Sequence, residues 1–169
     1  MRIGLYGGTF DPFHNGHLAL AIGVAEMRAL DQVWFVPAAV SPFKMGHQQT
    51  PAIHRLEMVR RAIAPLPFFR VLELELHRAA PSYTIDTVEA LIQADGQLGV
   101  SHDYALILGD DMMADFPKWH RVDELVGLAE VLVGRRGGAP PRSTARIRAG
   151  AGGATGWGHL DSYYGDERY

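Results

Sequence analysis

The chain contains no cysteine among its 169 residues. That absence excludes a disulfide scaffold and a catalytic thiolate, and it suits a reducing compartment. No apolar run approaches the roughly 18 residues that a membrane-spanning helix needs, and a strand pattern starts at Arg2, so neither a span nor a leader is expected. The formal net charge of −3 gives no reason to expect a nucleic-acid polymer as partner. The expected location is the cytoplasm.

The sequence also lacks the common nucleotide-binding and zinc motifs. Neither G-x-G-x-x-G nor G-x-x-x-x-G-K-[ST] occurs, so the usual dinucleotide fingerprint and the P-loop are absent. There is no H-E-x-x-H, and two nearby histidines supply only half of a tetrahedral zinc site. Protein side chains are therefore not expected to hold a metal.

The remaining pattern alternates between strands and helices. Strands are predicted at five apolar runs: Ile3–Tyr6, Val33–Val36, Phe69–Leu76, Tyr104–Leu108 and Val131–Val133. Apolar residues at helical spacing lie between them. Asn15 is predicted to cap the first helix, Thr50 to cap the second with Pro51 in its first turn, and Ser82 or Thr84 to open the third. This alternation predicts an α/β fold: an open, mostly parallel, Rossmann-like sheet with helices on both faces.

The length suits one domain, and the composition changes near its predicted end. Residues 1–136 carry the strand and helix patterns. Residues 137–169 are rich in glycine, alanine, arginine and proline and show no apolar periodicity. We predict a domain over 1–136 followed by a flexible tail over 137–169.

The most informative stretch is "GGTFDPFHNGH", from Gly7 to His17, between the first predicted strand and helix. In an open α/β sheet this loop is the usual phosphate site, because the helix that follows offers unpaired N–H groups and partial positive charge. Glycines let the backbone approach a ligand closely. His14 and His17 stand where other phosphate loops have lysine, and a histidine that donates to a phosphoryl oxygen stabilises charge developing on phosphorus.

The motif His14-Asn15-Gly16-His17 resembles the H-x-G-H signature of the nucleotidyltransferase superfamily. Further stretches are similar to bacterial nicotinate-mononucleotide adenylyltransferases: "FVPAAVSPFK", "HRLEMV", "PSYTIDTVEAL", "LILGDDMMADFPKWHRVDEL" and "AEVLVGRR". The resemblance runs in order over about residues 2–136. It implies transfer of AMP from ATP to nicotinate mononucleotide with Mg²⁺, giving nicotinate adenine dinucleotide and pyrophosphate in NAD biosynthesis. The nucleophile is already anionic, so no general base is needed.

The resemblance also implies roles for individual residues. Contacts with ATP and its phosphates are expected from Gly8, Thr9, Phe10, His14, His17, Lys44, Gly109 and Asp110. A pocket for the mononucleotide is expected from Ser82, Tyr83, Thr84 and Trp119, with the indole facing the pyridine ring.

Each of these residues also has a purely structural interpretation. Trp119 could be a half-buried surface tryptophan, Thr84 and Asp110 could be helix caps, and Lys44 could be a solvated loop residue. The charged run from Glu73 to Arg78 is interpreted as a solvated strand edge.

Two other functions stay open. The first is a sister nucleotidyltransferase that uses nicotinamide mononucleotide, pantetheine phosphate or a cytidylyl donor. The second is a nucleotide-binding protein with impaired catalysis, because the family's C-terminal I-S-S-T-x-I-R motif has only a displaced echo in "RSTARIR", with Ser143 and Arg148 as weak triphosphate candidates. The oligomeric state and the preference between the two pyridine mononucleotides are not predicted.

Overall fold

In the computed structural model, the structure describes residues 1–39, 49–79 and 81–135, together with the backbone of 144–147. The strands are β1 (Arg2–Gly8), β2 (Gln32–Pro37), β3 (Phe69–Val71), β4 (Asp103–Gly109), β5 (Glu130–Gly134) and β6 (Thr144–Ile147). The α-helices are α1 (Asn15–Arg28), α2 (Ala52–Ile63), α3 (Thr84–Leu98) and α4 (Val122–Leu128), with 3₁₀ turns at Leu74–His77, Asp110–Met112 and Phe116–Lys118. None of the described helices combines the length and the apolar character that crossing a membrane requires.

The six strands form one sheet in the order β3-β2-β1-β4-β5-β6. Strands β1 to β5 pair in parallel, and β6 joins β5 antiparallel at the edge. The predicted open, mostly parallel α/β sheet is therefore confirmed. The chain winds outward from β1 to β3 on one side and from β4 to β6 on the other, which places the topological switch point between β1 and β4.

Alternation along the strands builds a core on each face of the sheet. In β4, Leu106 packs with one set of helices, whereas its neighbour Ile107 packs on the opposite face. The first face is covered by α3 and α4, through residues such as Ile85 and Leu125, and the second by α1 and α2. Gly134 lets α1 approach β5, because a Cβ there would stand 2.2 Å from the Leu20 side chain.

The predicted strand over Phe69–Leu76 is wrong beyond Val71. The Leu72 N–H makes a last bond to the Phe35 carbonyl at 2.8 Å, and the chain then turns into the 3₁₀ helix Leu74–His77. Leucine and glutamate alternate here with the period of a strand, but the Glu75 carboxyl is 7% exposed and bonded to α3. This tertiary anchor overrides the local pattern, so the run from Glu73 to Arg78 is not a solvated strand edge.

Two of the predicted helix caps differ in the structure, whereas the predicted start of the third helix agrees. His14, not Asn15, caps α1, and Pro51, not Thr50, occupies the N-cap of α2. Helix α3 begins at Thr84, as one of the two predicted alternatives, with Tyr83 at its N-cap. The H-x-G-H turn is thus itself the helix start.

Strand β6 lies inside the segment predicted to be a flexible tail. Its four residues, Thr144–Ile147, pair with Val131–Gly134 of β5. No strand is predicted there from the sequence, and the flexibility of the rest of the tail stays a prediction. The domain boundary at residue 136 stays a prediction.

Candidate active site

The candidate site lies at the carboxyl ends of β1 and β4, on either side of the switch point. Gly8 ends β1 and Gly109 ends β4, and the two parallel strands are neighbours in the sheet. Open α/β sheets bind ligands in the crevice beyond such strand ends. The structure therefore brings two of the predicted ATP-binding residues to one edge of the sheet.

The loop after β1 is shaped by Gly8 and Phe10. Phe10 adopts a left-handed backbone with φ 52°, and its ring is 3% exposed. A Cβ at Gly8 would lie 2.9 Å from that ring, so glycine lets the phenyl group fold back beneath the loop. The ring packs edge-on against Tyr6 and Phe35. Burial of Phe10 leaves the loop's backbone as the part that faces the crevice.

His14 and His17 form a reciprocal cap at the start of α1. The Gly16 N–H donates to His14 Nδ1 at 3.1 Å, and the His14 N–H donates to His17 Nδ1 at 3.2 Å. The two ring centroids are 3.9 Å apart. A nitrogen that accepts such a bond carries no hydrogen, so the ring hydrogen of each neutral imidazole lies on Nε2. The Nε2–H of the exposed His14 thus lies at a helix N-terminus, which itself attracts anions.

Aromatic packing fixes the orientation of His17. Its side chain is buried, at 7% exposure, whereas His14 is exposed. Phe13 stacks on the His17 ring with centroids 5.2 Å apart and planes 17° apart, and Phe10 contacts it edge-on at 5.1 Å. The sequence analysis predicts the two histidines but not this support, although the spacing F-x-x-F-H places both phenylalanines beside the motif.

Arg55 is a buried cation on α2. It bonds the backbone of the loop between β1 and α1, which we call the phosphate loop after its predicted role. The side chain is 1% exposed and donates to three backbone carbonyls: Thr9 at 2.6 Å, Ala39 at 3.0 Å and Thr50 at 2.9 Å. Burial lowers the pKa of Arg55, and the nearby Asp11 carboxylate opposes that effect. The Thr9 carbonyl is therefore bonded to Arg55, and the contact of Thr9 with ATP stays a prediction. The sequence analysis does not identify Arg55.

The predicted mononucleotide residues lie in two neighbouring segments, the turn into α3 and the loop that carries Trp119. Ser82 is buried, and Tyr83 stacks on His120 with ring centroids 4.2 Å apart and planes 27° apart. Trp119, next to His120, packs edge-on against Phe116 at 5.1 Å. The turn into α3 and the Trp119 loop are therefore in contact. His120 is not predicted from sequence, although it stands in the quoted "PKWH".

An ion-pair cluster also joins these two segments. Arg121 follows His120 and donates to both carboxylate oxygens of Glu89 on α3, at 2.7 and 3.1 Å, and to Glu124 on α4 at 2.6 Å. Its backbone is left-handed, with φ 51°. Asp110, predicted on the adenosine side, is the first residue of the 3₁₀ turn after β4. Gly109 occupies the N-cap and no side chain makes a capping bond there, so the structure does not support the capping interpretation, and the contact with adenosine stays a prediction.

Behind the turn into α3 lies a buried carboxyl, Glu75. Its Oε1 accepts the Thr87 hydroxyl hydrogen at 2.9 Å, and Arg78 donates to Thr87 Oγ1 at 3.1 Å and to Ser82 Oγ at 3.3 Å. Burial raises the pKa of Glu75 to about 7, and the bond from Thr87 and the charge of Arg78 act against that rise. The sequence carries no signal for this buried carboxyl, because the alternation of leucine and glutamate around Glu75 is also typical of a half-exposed strand.

Three predicted residues, Lys44, Ser143 and Arg148, lie outside the described residues. In the ranges that are described, no three histidine, aspartate or glutamate side chains group so that they could hold a metal ion.

A profile of the cytidylyltransferase-like family matches residues 5–151. Curated relatives include the nicotinate-nucleotide adenylyltransferase of Bacillus subtilis. It is 41% identical over 139 residues, which cover 81% of this chain and 70% of the relative. The probable nicotinate-nucleotide adenylyltransferase of Bacillus pumilus is 40% identical over 137 residues, with the same two coverages.

Solved structures share the fold. The nicotinic acid mononucleotide adenylyltransferase of Plasmodium falciparum, solved in complex with NaAD, superposes with a TM-score of 0.67 at 20% identity. That match covers 80% of this chain and 65% of the Plasmodium chain. A putative nicotinate-nucleotide adenylyltransferase from Vibrio parahaemolyticus gives a TM-score of 0.63 at 18% identity, covering 80% of this chain and 74% of the other.

Proposed function

This chain belongs to the cytidylyltransferase-like family and, within it, to the nicotinate-nucleotide adenylyltransferases, and we propose that it moves AMP from ATP to nicotinate mononucleotide. The products are nicotinate adenine dinucleotide and pyrophosphate, on the route to NAD. The single observation that carries the proposal is the histidine pair, with rings 3.9 Å apart, at the start of α1 beside the switch point.

The reaction needs positioning more than proton transfer. A phosphate oxygen of the mononucleotide attacks the α-phosphorus of ATP, a new P–O bond forms, and the bond to the β-phosphate oxygen breaks to release pyrophosphate. The attacking oxygen is already anionic, so no side chain has to remove a proton. Alignment of two bound reactants accounts for up to about 7–11 kcal/mol of the barrier.

The histidine pair would stabilise the charge of the triphosphate. With each Nδ1 occupied by a backbone N–H, His14 and His17 are set to donate from Nε2. Backbone groups of Gly8, Thr9 and Phe10 line the same loop, and the N-terminus of α1 adds partial positive charge. Lys44, after β2, is the proposed further cation.

The mononucleotide would lie between the turn into α3 and the Trp119 loop. Ser82, Tyr83 and Thr84 would line one side, and the Trp119 indole would face the pyridine ring. Gly109 and Asp110 would meet the adenosine. The 4.2 Å stack between Tyr83 and His120 supports this assignment, because it brings the two segments into contact.

Mg²⁺ would enter with ATP. When bound, it would neutralise part of the charge on the leaving pyrophosphate, and phosphate oxygens would be its main ligands. The proposed location is the cytoplasm, which the absence of cysteine supports.

The test is pyrophosphate release by the full chain with ATP and Mg²⁺ against nicotinate mononucleotide, nicotinamide mononucleotide and pantetheine phosphate in turn. Release with nicotinate mononucleotide above the other two supports the proposal. Preference for another acceptor assigns the chain to a sister activity. ATP binding without release would identify a nucleotide-binding protein with impaired catalysis.

His17→Ala tests the site within the same assay. Loss of one donor to developing charge typically lowers turnover by about 10²–10³. His77→Ala is the matched control and should turn over normally, because the His77 side chain is 77% exposed and pairs only with Glu73 in the described structure. Circular dichroism checks that both variants fold. Normal turnover by a folded His17→Ala protein would remove the catalytic role of this motif.

A further inference from the structure

The buried carboxyl of Glu75 has no place in the chemistry of adenylyl transfer. Among the described residues, Glu75 and Arg55 are the carboxylate or guanidinium side chains that are buried. Arg55 stands behind the phosphate loop, whereas Glu75 stands behind the turn that carries Ser82, Tyr83 and Thr84. An acidic group is seldom buried unless it is paired, so its placement here requires a reason.

Glu75 stands at one end of a chain of side-chain hydrogen bonds, the Glu75 network, that runs from Glu75 through Thr87 and Arg78 to Ser82. Thr87 donates its hydroxyl hydrogen to Glu75 and accepts from Arg78 Nη1 with the same oxygen. Arg78 Nη1 also reaches Ser82, and Nη2 donates to the Asp86 carbonyl at 3.3 Å. A single guanidinium thus binds Ser82, two positions before the helix begins, and two residues of the helix's first turn.

The charges around Glu75 make the network depend on its ionisation. Arg78 faces the carboxylate with positive charge, and Asp86 on α3 faces it with negative charge. Strand β2 packs against this turn and contributes no titratable side chain over Gln32–Pro37. When Glu75 takes up a proton, Arg78 loses the anion that orients it through Thr87. Burial sets that protonation near pH 7.

Resting on the proposed function, we propose that Glu75 is a positioning residue for the mononucleotide. Through Thr87 and Arg78 its carboxylate holds Ser82 and the turn into α3 in the shape that binds nicotinate mononucleotide. Glu75 itself contacts neither substrate. The ATP side of the site is anchored separately by Arg55, so a defect at Glu75 should appear in one substrate alone.

The experiment measures KM for each substrate and kcat from pH 6 to about 8.5 in the full chain, with Glu75→Gln compared with wild type. Glu73→Gln is the matched control, because Glu73 stands on the same segment and pairs with Arg60 at the surface. At pH 8 we expect Glu75→Gln to raise KM for nicotinate mononucleotide about tenfold, the loss of roughly one charge-assisted hydrogen bond. KM for ATP, kcat and all values for Glu73→Gln should stay within about twofold.

The pH profile separates positioning from a merely structural role. In wild type, KM for the mononucleotide should rise as pH falls through about 7. In Glu75→Gln this rise should be reduced to the part that comes from titration of the ligand phosphate, which both proteins share. Arg78→Lys, which keeps the charge but cannot bond three partners in a plane, should show the same single-substrate defect.

Three outcomes would overturn the inference. Parallel pH profiles in wild type and Glu75→Gln would remove the role of the carboxylate, and equal losses for ATP and mononucleotide would indicate general loosening of the fold. Calorimetric titration of both proteins with nicotinate mononucleotide gives the third outcome: equal affinity in wild type and Glu75→Gln at pH 8 would overturn the inference alone. No binding by wild type at any pH would instead overturn the proposed function and this inference with it.

Discussion

Replacement of Arg55 by methionine tests how the phosphate loop is held in place. The guanidinium is 1% exposed and bonds carbonyls of three separate segments, at Thr9, Ala39 and Thr50. Methionine fills a similar volume and removes every donor. Three carbonyls then lose their charged partner at once, and two of them, at Ala39 and Thr50, stand on either side of residues 40–48.

The expected cost follows from those bonds. A hydrogen bond that involves a charged group contributes about 1.5–3 kcal/mol, and removal of the buried cation also relieves the cost of taking it out of water. We therefore expect Arg55→Met to lower the free energy of unfolding by about 3–5 kcal/mol, as removal of one partner from a buried ion pair does. Domains of this size are typically stable by about 5–15 kcal/mol, so Arg55→Met should fold at low temperature and unfold at much lower urea concentration.

Urea unfolding followed by circular dichroism measures the loss, with the slope m checked against wild type. Arg61→Met is the matched control: Arg61 lies on the same helix, its side chain is 80% exposed, and it pairs only at the surface with Glu57 in the described structure. It should change stability by less than about 1 kcal/mol. A loss in Arg55→Met no larger than in this control would refute the view that Arg55 organises the loop.

Further predictions concern the mononucleotide pocket, the buried carboxyl and the tail. Trp119→Ala should raise KM for the mononucleotide by roughly 10–100-fold and spare ATP, because stacking on a base is worth about 1–3 kcal/mol; the opposite split would move Trp119 to the adenine side. The folded protein retains the Glu75 proton up to about pH 7, whereas the unfolded chain releases it near 4.5, so stability should fall as pH rises through that window. Glu75→Gln should therefore be more stable than wild type at pH 8 by up to about 3 kcal/mol, and equal urea midpoints at pH 5 and pH 8 in both proteins would contradict this. Arg148→Ala should leave KM for ATP unchanged, since "STARIR" has one residue too many for the family motif; a collapse of ATP use would show that the segment reaches the triphosphate.

Parts of the molecule that depend on local pattern were predictable. Apolar runs locate the four strands β1, β2, β4 and β5, because parallel strands buried on both faces are continuously hydrophobic. The H-x-G-H turn and its position between β1 and α1 follow from the sequence in the same way. Even the order of strands around the switch point agrees with the predicted class, since right-handed crossovers leave few alternatives.

Long-range contacts decide the parts that were missed. The alternating "LELEL" has the period of a strand, yet the Thr87 hydroxyl, twelve residues away, pulls Glu75 into a 3₁₀ turn. The stack of His120 on Tyr83 joins residues whose sequences carry no sign of each other. Strand β6 lies in a glycine- and arginine-rich stretch with no strand pattern, and it forms because β5 offers a free edge.

The buried charges show why such contacts concentrate here. A reaction whose nucleophile is already anionic gains its rate from the relative placement of two substrates, and each substrate is proposed to bind at a loop at the edge of the sheet. Loops supply backbone groups but little rigidity. Behind the phosphate loop the chain places Arg55, and behind the turn into α3 it places Glu75. Burial of either charge costs stability unless its hydrogen bonds are made. Each buried group therefore favours the one loop geometry in which those bonds form. If the two loops are anchored independently, a substitution at Glu75 should change the KM of the mononucleotide alone. If one set of contacts held both loops, the same substitution would change the KM of both substrates.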